Sequence, residues 1–479
     1  MSYGQTAGKM MEAITLPIWL FAVLAALSAW SVLDRLLIPS ARWYLRRRVN
    51  RVIAEINTRL NIGIRPFQLT KRQVLIDRLV YDPKVMEALQ AYAQENNLPR
   101  EVAQVEALRY AREIVPAFNA YIYFRIGYWL ARRIAYLLYR VRGGFADQSH
   151  LANVDPNAAV VFVMNHRSNM DYILVAFLAA EQSALSYAVG EWARIWPLQQ
   201  LIRAMGAYFV RRRSNNPLYR RVLERYVHMA THEGVCQAVF LEGRLSRDGK
   251  LQPPRFGILD YMLRGHDPAD ARDIVFIPVG INYDRVLEDR SLLRSLDPDA
   301  APRGLWFVIA TTLGFITRNL WLMARSRWRR FGYAAVNFGA PISVHEYCKR
   351  SGVMLKSIAP EQRFAEMERL AAHLMAAVAR AVPVLPIPML AKLLLEAGEQ
   401  GISLFDFKAA FYRLADELRD RGAFVIPENL GREQVFNSAL KMLRLRYLVT
   451  ESDGIYRPQT AAADVLRYYA NSIWQWERA

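Results

Sequence analysis

Seven apolar residues, Ala158 to Met164, run unbroken into Asn165-His166-Arg167-Ser168-Asn169-Met170-Asp171, and Tyr172 to Ala180 is apolar again. A Val-rich run of that length without alternation reads as a strand buried on both faces, and the segment after the polar turn reads as a helix. A chain carrying such a unit is constrained to an α/β sheet with a His and an Asp at a strand-to-helix junction, where α/β proteins assemble their chemistry. An imidazole beside a helix N-terminus stays neutral near pH 7 and can accept a proton, while a nearby carboxylate selects its tautomer. The same seven residues also read as a turn in which Asn165 or Ser168 caps the helix and His166 is incidental. The rest of the chain decides between the two.

From about residue 144 to 345 short Val/Ile/Phe runs alternate with helical segments, predicting an α/β domain with a central mixed β-sheet flanked by helices. Predicted strands are Val160 to Val163, Tyr208 to Val210, Gln237 to Leu241, Ile274 to Val279 and Ala334 to Phe338. Residues 46–143 read as an N-terminal helical region, with helices over Leu69 to Leu79, Val85 to Glu95 and Val102 to Ile114. An aromatic and basic amphipathic stretch, Ile114 to Arg140, ends at Gly143-Gly144 and reads either as a core helix or as a membrane contact. Residues 346–479 read as a mainly helical C-terminal region. Its helices fall at Gln362 to Ala381, Phe405 to Arg419 and Gln434 to Leu445, before a hairpin around Asp453-Gly454. Helix, helix, hairpin is a winged-helix-like order and raises nucleic-acid binding as an alternative class, although the basic residues there are few: Lys441, Arg444 and Arg446.

Residues 1–45 read as a membrane anchor. Ile14 to Leu33 contains no charge and is just long enough to cross a bilayer. Arg35, Arg42, Arg46, Arg47, Arg48 and Arg51 follow it, which places the body of the chain on the cytoplasmic side of the cell (inner) membrane. A cleaved signal peptide competes with this reading, and the arginine cluster opposes it. A second apolar run, Gly304 to Thr317, is too short to span and reads as interfacial or re-entrant, or else as a core helix with a solvated basic end. Lys and Arg number 63 against 44 Asp and Glu, a net charge of +19. Such a balance seeks phosphate, in nucleic acid, anionic lipid or a phosphorylated substrate, and the 11 Trp favour lipid. Two cysteines make neither a disulfide framework nor a zinc site. His228 and His232, one helical turn apart, lack a third ligand in sequence, so no metal is expected.

Three further blocks carry polar residues at strand ends. Gly206 to Arg213 delivers Arg211, Arg212 and Arg213, of which strand alternation lets at most two face one pocket. Phe240 to Lys250 delivers Glu242, Gly243, Arg244, Ser246 and Arg247. Ile277 to Arg285 contains Pro278, which disfavours an interior ladder position and suggests an edge or a pocket wall.

In this order, NHRSNMD, GAYFVRR, EGRLSRDGK and IPVGINYDRVLE resemble the blocks of glycerolipid acyltransferases that share His, four residues, then Asp. With Val336 to Ser343 and Leu466 to Ile473 (LRYYANSI), the chain from about residue 70 onwards looks like a glycerol-3-phosphate acyltransferase. It departs from the family at Leu245, where an arginine is usual, with Arg244 one place earlier.

The resemblance implies transfer of a fatty acyl group from an acyl thioester to the sn-1 hydroxyl of glycerol 3-phosphate, giving lysophosphatidic acid in the first step of phospholipid synthesis. His166 would be the general base and Asp171 its orienting carboxylate. Arg211, Arg212, Arg247 and Arg244 would hold phosphate, Glu242, Gly243 and Ser246 would line the acceptor site, and Pro278 would shape the acyl region. Acyl-CoA or acyl-carrier protein would be the co-substrate, with no cofactor and no metal. The membrane surface would be anionic phospholipid, and no nucleic acid is expected. Lysophosphatidate or dihydroxyacetone phosphate are the alternative acceptors.

Overall fold

The computed structural model describes residues 17–20, 22, 23, 25, 27, 28, 64–145, 154–179, 183–190, 198–211, 214–269, 272–296, 330–427 and 431–476. Two compact units, 1–56 and 57–479, divide the chain. In the first, the described residues after Pro17 are helical, with Ile18, Trp19, Val23 and Leu27 exposed. The remainder of the expected anchor, its arginine flank and the second apolar run lie outside the described residues. Among the described residues no helix is long and apolar enough to cross a membrane.

The second unit is built on an eight-stranded mixed sheet. Its strands are β1 (Arg140–Phe145), β2 (Ala159–Met164), β3 (Ser186–Val189), β4 (Tyr208–Phe209), β5 (Gln237–Phe240), β6 (Ile274–Tyr283), β7 (Tyr333–Phe338) and β8 (Ile342–Ser343). Their order is β1-β7-β6-β2-β5-β3-β4, with β8 also paired to β6. Strands β6, β2, β5, β3 and β4 run parallel, whereas β7 and β8 run antiparallel to β6 and β1 runs parallel to β7.

The position of β2, between β6 and β5, explains its unbroken apolar sequence: both faces are covered. Ala159, Val161 and Val163 enter one core with Leu79, Leu89, Ile114, Val222 and Leu374. Val160, Phe162 and Met164 enter the other with Leu174, Phe177, Leu390 and Phe407. The helices Arg72–Val80, Pro83–Glu95 and Arg100–Ile114 therefore share a core with the sheet, and the helices Met170–Ala179 and Pro386–Ala397 pack on the opposite face.

The structure moves two sequence-based boundaries. The π-helical turn Ile122–Gly127 leads into the helix Tyr128–Leu138, and Gly143-Gly144 lies within β1 rather than at a helix stop. Gly144 belongs there because a Cβ would meet the Phe424 ring at 2.3 Å. Pro278 lies inside β6, buried, not at an edge. Its carbonyl accepts from Gly339 N at 2.8 Å, between the residues of β6 that pair with β8 and those that pair with β7. Since the N and O of a strand residue point to the same side, the missing donor faces this change of partner and leaves no ladder bond unmade.

The C-terminal residues follow the expected order, with helices Leu404–Asp420 and Arg432–Leu445 and a hairpin of β10 (Val449–Ser452) and β11 (Ile455–Pro458), which pairs with β9 (Ile402–Ser403). Of the basic residues expected on its second helix, Arg444 pairs with Glu451 at 3.0 Å and Arg446 turns inward to Asp289.

Gly280 marks where this region meets the sheet: a Cβ there would lie 2.2 Å from the Ala381 carbonyl carbon. Both atoms belong to backbone in packed elements, so neither yields easily. Gly280→Ala is expected to destabilise the protein by about 1–3 kcal/mol or more, read as a lowered urea midpoint, whereas Gly257→Ala, in open space, should not.

Candidate active site

Parallel pairing of β2 with β5 and β6 sets Met164 beside Phe240 and Val279, so β2 and β5 release Asn165 and Leu241 at one end of the sheet while β6 runs on to Tyr283. Blocks far apart in sequence meet there. Asn165 locks the first loop to β6, its Nδ2 donating to Ile281 O at 2.9 Å and its Oδ1 accepting from Ile281 N at 2.7 Å.

Asp171 lies in the first turn of the helix Met170–Ala179 and is fully buried. Its Oδ2 accepts from Arg167 N at 2.7 Å and Ser168 N at 3.0 Å, and stands 2.9 Å from His166 Nδ1. Its Oδ1 accepts from Tyr283 OH at 2.6 Å. The surrounding groups are donors, so the carboxylate serves as acceptor and the His166 proton belongs on Nδ1. Nε2 is then the nitrogen with a lone pair to offer. His166 is 2% exposed, and its ring stacks on Phe240 at 4.0 Å and meets the edge of Tyr172 at 5.5 Å.

The backbone of His166 is held as firmly as its ring. Its N–H donates to Glu242 Oε1 at 2.8 Å, and its carbonyl accepts from Ser246 N at 2.9 Å. Glu242 uses its other oxygen to accept from Gln252 N at 2.9 Å. Ser168 accepts from Met170 N and donates to Glu288 Oε2 at 2.8 Å, so it serves the start of the helix and is not a free nucleophile. Asn169 also donates to Glu288. Arg167, 1% exposed, turns away from the ring and donates to Gly249 O and, at 3.3 Å, to Ser472 O.

A cavity of about 300 Å³ opens onto His166. Tyr172, Val189, Val210, Leu223, Phe240, Ile258 and Tyr261 give it apolar walls, while Arg211, Arg220 and Arg255 bring charge. Arg211 is held bidentately by Glu113 at 2.8 and 2.6 Å and lies over the Tyr110 and Tyr219 rings, and the Glu113 bond raises its pKa further. Arg220 donates to Ser214 O and Asn215 Oδ1. Arg255 is exposed, has no acidic partner among the described residues, and packs its stem against Gly243.

The predicted site thus divides. His166, Asp171, Arg211 and Gly243 meet at the cavity or behind it. Glu242 does not line the cavity; both of its oxygens hold backbone. Ser246 is buried, donating to Lys250 O at 2.7 Å and closing its own loop. Arg244 and Arg247 are exposed and do not line the cavity, Arg247 donating to Ser295 O at 3.4 Å. Pro278 is within the sheet, and Arg212 and Arg213 lie outside the described residues. The sequence reading gave no site role to Tyr283, Glu288, Arg220 or Arg255. Tyr283 stands in the fourth block and Glu288 three residues beyond it, at the end of IPVGINYDRVLE, where a Tyr shortly after a buried strand was the available signal. His228 and His232 have rings 4.1 Å apart, and among the described residues no group of three potential ligands forms.

Residues 147–282, which carry β2 to β5, all but the last residue of β6 and the His166–Asp171 pair, match the family model described as Acyltransferase, so this part of the unit is an acyltransferase domain. Residues 319–476 match the model of the Glycerol-3-phosphate acyltransferase C-terminal region. The chain is 31% identical over 346 residues to the glycerol-3-phosphate acyltransferase of Pseudomonas putida (strain W619), covering 70% of this chain and 40% of that one. It is 29% identical over 423 residues to that of Pseudomonas entomophila (strain L48), covering 85% and 49%. The chain belongs to the glycerol-3-phosphate acyltransferase family and spans two fifths to about half the length of these relatives.

Burial pushes the Glu242 carboxyl up to about 7, although its two backbone donors and Arg167 pull it down. A carboxyl whose folded pKa lies above its unfolded value contributes stability that is whole below the unfolded pKa and is lost as pH rises through the folded one. Wild type should therefore lose on the order of 3 kcal/mol through this group between about pH 4.5 and about pH 8. Glu242→Gln, which cannot ionise, should show a smaller loss over that window in urea unfolding, on top of a constant cost of about 1–3 kcal/mol from turning an NH2 toward a backbone N–H.

Proposed function

We propose that the chain transfers a fatty acyl group from an acyl thioester to the sn-1 hydroxyl of glycerol 3-phosphate, giving lysophosphatidic acid. The observation that carries this reading is the His166 Nδ1–Asp171 contact of 2.9 Å, which leaves Nε2 to an apolar cavity bearing arginines. The acceptor hydroxyl gives its proton to Nε2 as its oxygen attacks the thioester carbonyl. The tetrahedral intermediate collapses with loss of the thiolate, which takes the proton from the imidazolium, and an oxygen ester replaces the thioester. Asp171 keeps the ring oriented and stabilises the imidazolium. Direct attack accords with Ser168, whose hydroxyl is occupied by Glu288, so kinetics should be sequential.

The apolar walls suit the acyl chain, and Arg211, Arg220 and Arg255 suit the phosphate. Arg211 enters already neutralised in part by Glu113, which leaves Arg255 as the less encumbered cation. This reading shifts the phosphate grip from Arg244 and Arg247 to Arg255, with Arg211 retained. The names of the relatives and of the C-terminal family model favour glycerol 3-phosphate over lysophosphatidate or dihydroxyacetone phosphate as acceptor. The donor is acyl-CoA or acyl-carrier protein. We place the chain at the cytoplasmic side of the cell membrane on the strength of the charge-free Ile14 to Leu33 and its arginine flank.

Purified protein should acylate glycerol 3-phosphate. His166→Ala should cost roughly 10²–10⁴ in kcat, and Asp171→Asn a loss approaching that of His166→Ala; unchanged turnover in both sinks the mechanism. Arg255→Gln should raise the KM for glycerol 3-phosphate about tenfold or more, the expected effect of losing a charge-assisted hydrogen bond, while Arg247→Gln should leave it near wild type. A large KM effect at Arg247 alone would return the phosphate to the outer loop.

A further inference from the structure

Between Glu113 and Asp147 the chain has no acidic residue. Within that stretch the helical segment 122–138 buries Tyr123, Gly127, Ala131 and Ala135 against the protein. Its exposed positions are Arg125, Ile126, Trp129, Arg132, Arg133, Tyr136 and Leu137, every one an arginine or a large apolar residue. Their spacing of three and four residues puts them on one outward stripe. Ile126 is 46%, Trp129 56% and Tyr136 41% exposed, which is far from the usual fate of such side chains. Arg133 lies over the Trp129 ring at 5.7 Å and Arg132 over the Tyr136 ring at 5.9 Å. Each aromatic ring is thereby joined to a cation on the same surface.

We infer that this stripe is a bilayer-docking face for anionic phospholipid. Arginines with no acid among them are attracted to an anionic surface, each worth a fixed factor in affinity. Trp and Tyr settle at headgroup level, and Ile126 and Leu137 enter just below it. A nucleic acid would reward the arginines and leave Ile126 and Leu137 without a partner. An acidic protein surface would satisfy the charges and require a matching apolar groove, whereas a bilayer supplies both at once. The helix also bears on the site: Tyr128, and Tyr136 from the margin of the stripe, pack on Phe177 at 5.6 and 5.7 Å, in the helix whose first turn holds Asp171. The face would thus dock this second unit independently of any span in residues 1–45, and it does not rest on the acyl-transfer reading.

Both native thiols, Cys236 and Cys348, are buried, so a single introduced cysteine can be labelled selectively. The full chain carrying Trp129→Cys, or the exposed control Glu368→Cys, is labelled with a polarity-sensitive fluorophore. It is then reconstituted into phosphatidylcholine vesicles with or without phosphatidylglycerol, each containing nitroxide-labelled lipid. The label at position 129 should be quenched severalfold more than that at 368, and only with phosphatidylglycerol present. Adding Arg132→Gln and Arg133→Gln should lower the docked-to-undocked ratio by roughly fivefold per arginine removed. Equal quenching at the two positions overturns the proposal. So does quenching at 129 that ignores lipid charge, or a label shielded from both lipid nitroxide and aqueous iodide, which would mean that protein covers the face. None of these outcomes depends on acyl-transfer activity.

Discussion

The buried carboxylate of Asp171 is the point on which the site depends. It gathers two backbone N–H groups, a tyrosine hydroxyl and an imidazole nitrogen within 3.0 Å in a place without solvent. A carboxylate so surrounded by donors has no capacity left to serve as a base, and its role is to hold the imidazole and select its tautomer. The two backbone donors come from the turn between His166 and the helix, so the carboxylate also fixes the shape of the turn that presents the ring. Tyr283 ties the same oxygen pair to β6, which makes the geometry of the dyad a property of the sheet and not of one loop.

A second set of contacts holds this arrangement from behind. Arg167 joins the loop to Gly249 and Ser472, Asn282 donates to Ser472 Oγ at 3.2 Å, and Asn471 donates to Asp248 O at 2.8 Å. Tyr469 donates to Asp289 Oδ2 at 2.6 Å, one residue from the Glu288 that holds Ser168 and Asn169. Gly249 lets Tyr468 approach so closely that a Cβ would sit 1.9 Å from its carbonyl oxygen. The late stretch Leu466 to Ile473 thus acts as a brace for the loops that carry His166 and Gly249, a structural reason for a C-terminal region to travel with an acyltransferase domain.

Much of this was legible in the sequence where one element dominates its surroundings. The run Ala158 to Met164 declared a doubly covered strand, whereas His166 and Asp171 at its end read equally as a capped turn until the downstream blocks were set beside them. The hairpin at Asp453-Gly454 was plain from turn chemistry. What escaped depends on partners far away in the chain. Strand β1 contains Gly143-Gly144 and has little apolar content of its own, and it exists because it registers against β7 at the sheet edge. Arg244 and Arg247 looked like phosphate ligands because the loop is rich in donors. Hydrogen bonds within that loop, through Ser246 and Asp248, turn them outward. Arg255 lacked a motif to announce it, and its position beside Gly243 follows from the path of the loop. Pro278 was read by a rule about ladders that does not bind where a strand exchanges one neighbour for another.

The central claim is that Asp171 fixes the proton of neutral His166 on Nδ1 and leaves Nε2 as the base. Nitrogen-15 NMR of protein labelled in its seven histidines, with the His166 signals assigned by their loss in His166→Ala, reads this directly. A protonated Nδ1 and an unprotonated Nε2 are expected in the neutral ring, with Tyr283→Phe shifting the Nδ1 resonance. A neutral ring protonated on Nε2 would contradict it, because the nitrogen facing the cavity would then have no lone pair to offer.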